Sequence, residues 1–166
     1  MKTGQLVPHW LVVPALTVAA CGSGRSNPPP VAQAIGESDL GRLEELLEEG
    51  ADPDDSSYLD RPMWVAVELE DARFAELLLE HGADVHHSRD SNWTYLHEAA
   101  RRGSARTVEA LVDAGIDPCE RVDQAAPPRA QDSSLPDASG MTALDVARAV
   151  GNEDAVPVLE DASSAC

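Results

Sequence analysis

A glycine two places ahead of an aspartate recurs at Gly50-Ala51-Asp52, Gly82-Ala83-Asp84 and Gly115-Ile116-Asp117, with spacings of 32 and 33 residues. A fixed period of that length marks stacked units, each too small to bury its apolar face except against its neighbours. Ahead of each glycine the apolar residues fall at helical spacing: Leu40, Leu43, Leu46 and Leu47, then Phe74, Leu77 and Leu78, then Val108, Leu111 and Val112. Asp39 is placed to cap one such helix, and Gly50 to close it in a left-handed turn. The chain is 43% hydrophobic but only 4% aromatic. That balance suits flat helix-on-helix layers filled by small Ala, Val and Leu side chains.

The segments Arg61-Pro62-Met63-Trp64-Val65-Ala66-Val67, Thr94-Tyr95-Leu96-His97-Glu98-Ala99-Ala100 and Thr142-Ala143-Leu144-Asp145-Val146-Ala147-Arg148 occupy matching places in successive units. They resemble the Thr-Pro-Leu-His-x-Ala-Ala signature of the ankyrin repeat. The resemblance implies an all-α solenoid of about four helix-turn-helix repeats, at about 31–60, 61–93, 94–123 and 140–161. The first repeat lacks the signature, as a solvent-facing terminal unit does. Pro62 suits a first helical turn, where its missing amide hydrogen costs nothing. Trp64 stands in the family's histidine position and is expected to pack, whereas His97 keeps the histidine that ties neighbouring loops. From Gly82 to Thr94 is 12 residues and from Gly115 to Thr142 is 27, so 15 residues are inserted. This insertion, at 124–139, carries Pro127, Pro128 and Pro136 and reads as an irregular loop on one face of the stack. Pro157 either shortens the last helix or lies on its first turn and a half. The tail at 162–166 is expected to fray.

The N-terminus reads as an export segment. Lys2 gives it a positive start, Leu6 to Ala20 is mostly apolar, and the run is short for a bilayer span. Val18-Ala19-Ala20-Cys21 resembles a bacterial lipobox, which implies a lipoprotein signal peptide over 1–20, cleavage before Cys21 and a lipid on its sulfur. Ordinary secretion with an incidental cysteine is the alternative. Residues 22–30 hold no apolar side chain apart from their prolines and read as a tether. Gly22 leans the localisation toward the outer rather than the inner membrane, on the periplasmic side.

The net charge of −18 opposes a phosphate backbone, so nucleic acid is not an expected partner. A basic protein is favoured instead, chiefly through its association rate. The same charge also serves solubility. Nothing points to catalysis: there is no nucleophile elbow, no phosphate-cradling glycine loop after a strand and no His-Glu-x-x-His. His81, His86, His87 and His97 with Asp84 and Asp90 do not make a metal set, because His81 and His97 have structural places and adjacent turn histidines diverge. No cofactor and no metal are expected. Of three cysteines, Cys119 and Cys166 remain to form a disulfide if the chain is exported.

In the ankyrin family, partners are held by the turn tips and the exposed positions of each first helix. Carried over, the resemblance implies a binding face at Tyr58, Asp60, Glu68, His87, Asp90, Ser91, Trp93, Arg101 and Arg102. Trp93 is either an exposed aromatic anchor or an indole folded onto the neighbouring turn. The expected function is a monomeric, non-enzymatic module that binds another protein, as an inhibitor of the immunity type or a scaffold. A tethering role without a tight partner is the rival, and a metal-binding enzyme a distant third.

Overall fold

In the computed structural model the described residues are 30–57, 61–102, 104–123, 135 and 137–166. The export segment, Cys21, the tether to residue 29, Tyr58, Asp60 and all but the end of the inserted loop lie outside them, as does the side chain of Asp90. Eight α-helices are described: α1 (Pro30–Gly36), α2 (Leu40–Glu48), α3 (Pro62–Glu68), α4 (Ala72–Glu80), α5 (Tyr95–Arg102), α6 (Ala105–Asp113), α7 (Ala143–Val150) and α8 (Val156–Ala162). Ser88–Arg89 (β1) and Trp93–Thr94 (β2) add a two-stranded antiparallel hairpin, with Ser88 opposite Thr94 and Arg89 opposite Trp93.

The helices stack in two layers. The first helices α1, α3, α5 and α7 touch in succession, and the second helices α2, α4, α6 and α8 do the same. Between the layers lie Ile35, Leu43, Phe74, Leu78, Leu96, Leu111, Val146 and Leu159, all essentially without solvent contact. The small residues Ala66, Ala99, Ala100 and Ala147 are buried where the first helices meet. A bulkier side chain there would force the layers apart.

Each second helix in the first three repeats ends the same way. At Gly82, φ is +85°, a left-handed value that costs glycine nothing. This turn lets the Gly82 amide donate to the Leu79 carbonyl at 3.0 Å and the Ala83 amide to Leu78 at 3.0 Å. Gly50 and Gly115 repeat the pattern, so two orphan carbonyls are satisfied at each helix end. The helix starts are capped as well: the side chains of Asp39, Asp71 and Ser104 accept from the amides of Arg42, Arg73 and Thr107. Thr142 and Asp145 form a reciprocal capping box on α7.

The insertion leaves the stack and returns at neighbouring points. The Val122 amide donates to the Met141 carbonyl at 3.0 Å and the Gly140 amide to the Val122 carbonyl at 2.8 Å. With its ends joined in this way, α7 packs on α5 as if no residues had been added. Leu135 turns back into the core, so at least that part of the loop is anchored. The expectation of a frayed tail is corrected. Residues Ser163–Ala165 form a 3₁₀ turn, and Cys166 is joined to Cys119 by a disulfide with a Cα–Cα distance of 5.7 Å. Pro157 lies in the first turn of α8, where a proline is tolerated.

Candidate protein-binding surface

Three turn tips project from the ends of the second helices, and each opens with an aspartate that holds its own turn. The Asp54, His86 and Cys119 amides donate to the carboxylates of Asp52, Asp84 and Asp117, each at 2.9 Å. An aspartate side chain suits this role because it can bond an amide two residues on. Asp52, Asp84 and Asp117 remain exposed, so the tips present a row of carboxylates. Asp54 ties the first tip to the second by accepting from the Asp84 amide at 2.8 Å.

Successive repeats are joined differently along the row. At the third, the buried His97 ring bridges to the fourth: its Nδ1 lies 2.8 Å from the Thr94 hydroxyl and its Nε2 lies 3.3 Å from the Met141 carbonyl. The carbonyl can only accept, so the neutral ring carries its proton on Nε2 and takes the Thr94 hydroxyl proton at Nδ1. Burial lowers the pKa of His97 to about 4, against the smaller opposing effect of the Met141 carbonyl. At the second repeat Trp64 stands in the histidine's place, and its ring centroid lies 4.4 Å from that of Tyr95. The Arg89 guanidinium caps the outer side of the indole at 4.1 Å. Burial raises the Tyr95 pKa, and its hydroxyl has no protein partner.

Of its two expected placements, Trp93 takes the inward one and not that of an exposed anchor. Its side chain is buried at 4% exposure, with the indole N–H donating to the Glu98 carboxylate at 2.9 Å. An indole is too large to leave in water when a carboxylate acceptor and the His97 ring, 5.3 Å away, are available. Arg101 and Arg102 are drawn to the same carboxylate: Arg102 Nε donates to Glu98 Oε1 at 3.1 Å and Arg101 Nε to Oε2 at 3.4 Å. Glu98 has no solvent contact. Burial opposes its ionisation, but the hydrogen bonds from Arg101, Trp93 and Arg102 outweigh that cost and hold its pKa below the usual carboxylate range. Trp93, Arg101 and Arg102 therefore shape the first-helix face from beneath, and the two arginines are only partly exposed.

The other candidate positions separate by exposure. Glu68 is exposed and lies 3.6 Å from Arg89. His87 and Ser91 are half-buried, and burial lowers the pKa of His87. Ser91 and Asn92 adopt φ of +65° and +60°. Asn92 is held there by its side-chain amide, which donates to the Glu120 carboxylate and to the Arg121 carbonyl. Sequence reading missed Asn92, Glu98 and Glu120. Only Glu98 carried a signal, since Arg101 and Arg102 stand three and four residues ahead on one helix face. Among the described residues no three His, Cys, Asp or Glu side chains gather around a point where a metal ion could sit.

The family description "Ankyrin repeats (3 copies)" matches residues 31–122. The chain is also 30% identical to human cyclin-dependent kinase 4 inhibitor B over 142 residues, 85% of this chain and 92% of that protein. The bovine protein of the same name is 35% identical over 56% of this chain and 72% of its own length. Human cyclin-dependent kinase inhibitor 2A is 36% identical over 74% of this chain and 72% of its own length. With the fold, the capped glycine turns and the Thr94–His97 bridge in agreement, the chain belongs to the ankyrin-repeat family.

Proposed function

We propose that this ankyrin-repeat module binds a basic protein across its turn tips and first helices, and that the lipid on Cys21 holds it at a cell envelope. One observation carries the binding reading: the exposed carboxylates Asp52, Glu68, Asp84 and Asp117 are distributed along the side where a solenoid of this family presents its partner surface. On a chain of net charge −18 they attract a cationic partner and speed its approach. Relatives named as kinase inhibitors support a module whose binding restrains another protein's activity, here in the manner of an immunity-type inhibitor or a scaffold. Non-enzymatic action follows the same lines.

The envelope reading rests on Cys21 and the small residues before it. No helix among the described residues is long and apolar enough to cross a membrane. The Cys119–Cys166 disulfide supports export, since such bonds persist in oxidising compartments.

Fractionation and crosslinking pull-down from membranes test both parts, using the native chain, Cys21→Ser, Glu68→Arg and a form lacking residues 124–134. Membrane recovery that disappears in Cys21→Ser, with one basic protein captured in stoichiometric amount and weakened by salt and by Glu68→Arg, is the expected result. Soluble recovery of the native chain overturns the anchor. Absence of any enriched protein, or capture indifferent to salt, overturns the charge-guided binding.

A further inference from the structure

The second helices are not equally anchored. Helix α2 buries Leu43, Leu46 and Leu47, α4 buries Ala72, Phe74, Ala75 and Leu78, and α6 buries Thr107, Val108 and Leu111. Helix α8 fully buries Leu159 alone, with Val156 and Val158 only partly buried against the core. Its N-terminal residue Ala155 supplies no side-chain cap, and the turn before it is held only through Asn152, whose side chain accepts from the Ala155 amide at 3.2 Å. Its ion pair, Arg148 to Glu160, is half exposed at both ends and adds little. Beyond it, the Cys166 amide bonds only to the local Ser163 carbonyl, and the buried Ser163 hydroxyl finds no protein partner. Against this thin packing stands one strong link, the disulfide from Cys166, the last residue, to Cys119 in the turn after α6.

We propose that the Cys119–Cys166 bond is a redox latch on the terminal repeat: closed, it holds α8 against α6 and α7, and opened, it releases α8 while the first three repeats stay folded. The inference stands on the packing and is independent of the partner and the anchor. Both parts of the consequence have a physical source. A helix with one fully buried leucine and two half-buried valines offsets its ordering entropy less than the other second helices do, so it leans on the crosslink. The three preceding repeats satisfy the minimum for a self-supporting stack, so they do not need α8.

Opening requires a reductant, and a small dithiol can reach the bond because Cys166 is exposed and Cys119 partly so. One thiolate of the dithiol attacks the Cys166 sulfur, the sulfur–sulfur bond breaks, and Cys119 leaves as a thiolate that takes up a proton. The second thiol of the dithiol then displaces Cys166 from the mixed disulfide. The protein gains two electrons and two protons, and the dithiol loses them to become a cyclic disulfide.

Hydrogen exchange read by mass spectrometry on the full-length chain in detergent, oxidised and after dithiothreitol, tests the latch. The double variant Cys119→Ser with Cys166→Ser serves as the control that needs no reductant. The expected result is at least a tenfold acceleration of exchange over 156–166 in the reduced and double-variant chains, with unchanged protection over 31–116. Unchanged protection over 156–166 overturns the proposal, as does uniform acceleration throughout, which would make the bond a global stabiliser. Non-reducing peptide mapping that finds Cys119 and Cys166 as free thiols after air oxidation also overturns it.

Discussion

His97 links acid sensitivity to the stack. Its pKa of about 4 in the folded chain lies below the value near 6.5 expected when unfolded. Between those values the unfolded chain takes up a proton that the folded chain refuses, so the contribution of His97 to stability is constant above about pH 6.5 and falls as pH drops toward 4. The loss approaches about 3 kcal/mol at the acid end. Most carboxylates stay ionised above pH 5, so the upper part of this window belongs to the histidines, with His87 acting in the same direction. Urea denaturation of His97→Gln at pH 7 and pH 5 is expected to show a lower starting stability and a markedly smaller drop. An unaltered drop would remove His97 from the account. Residues of this kind were partly legible in the sequence. His97 was placed by its motif, because a motif histidine keeps one backbone partner wherever the repeat occurs. For Trp93 the sequence leaves an exposed and an inward placement open; the inward one holds, and Arg101 and Arg102 are only partly exposed, because all three are directed by Glu98, a buried carboxylate that no periodicity announces.

At the scale of elements, the turn between the paired helices holds an uneven quality. Ser38 and Glu70 adopt φ of +57° and +60° there, and Gly151 adopts +77° in the corresponding turn of the fourth repeat. A residue with a Cβ in this region carries a cost of about 1–2 kcal/mol, against which glycine's larger unfolded-state entropy returns part. Glu70→Gly is therefore expected to raise stability by about 0.5–1 kcal/mol, read as a higher urea midpoint with an unchanged slope. A lower midpoint would show that the Glu70 side chain contributes more than its backbone costs. Helix positions and the Gly50, Gly82 and Gly115 turns could be read from sequence because they depend on local spacing. The β1–β2 hairpin and the folded tail could not. The first depends on Asn92 reaching the following turn; for the second, the cysteine count offers the Cys119–Cys166 bond, but not that a link between residues 47 apart would fold the tail into a turn.

For the whole molecule, the net charge of −18 sets a background repulsion that every repeat shares. Raising sodium chloride from 0.05 to 0.5 M shortens the Debye length from about 14 to about 4 Å and screens that repulsion. Thermal unfolding at neutral pH is expected to shift upward by several degrees over this range. A downward shift would mean that surface pairs such as Arg106–Glu76 and Arg73–Asp71 outweigh the like charges. The closed neck of the insertion has a different kind of consequence. Because Val122 and Met141 are bonded to one another, the number and identity of most residues between them are decoupled from the register of the helices. Length and sequence can therefore change between these two residues without passing a shift on to the helices that follow.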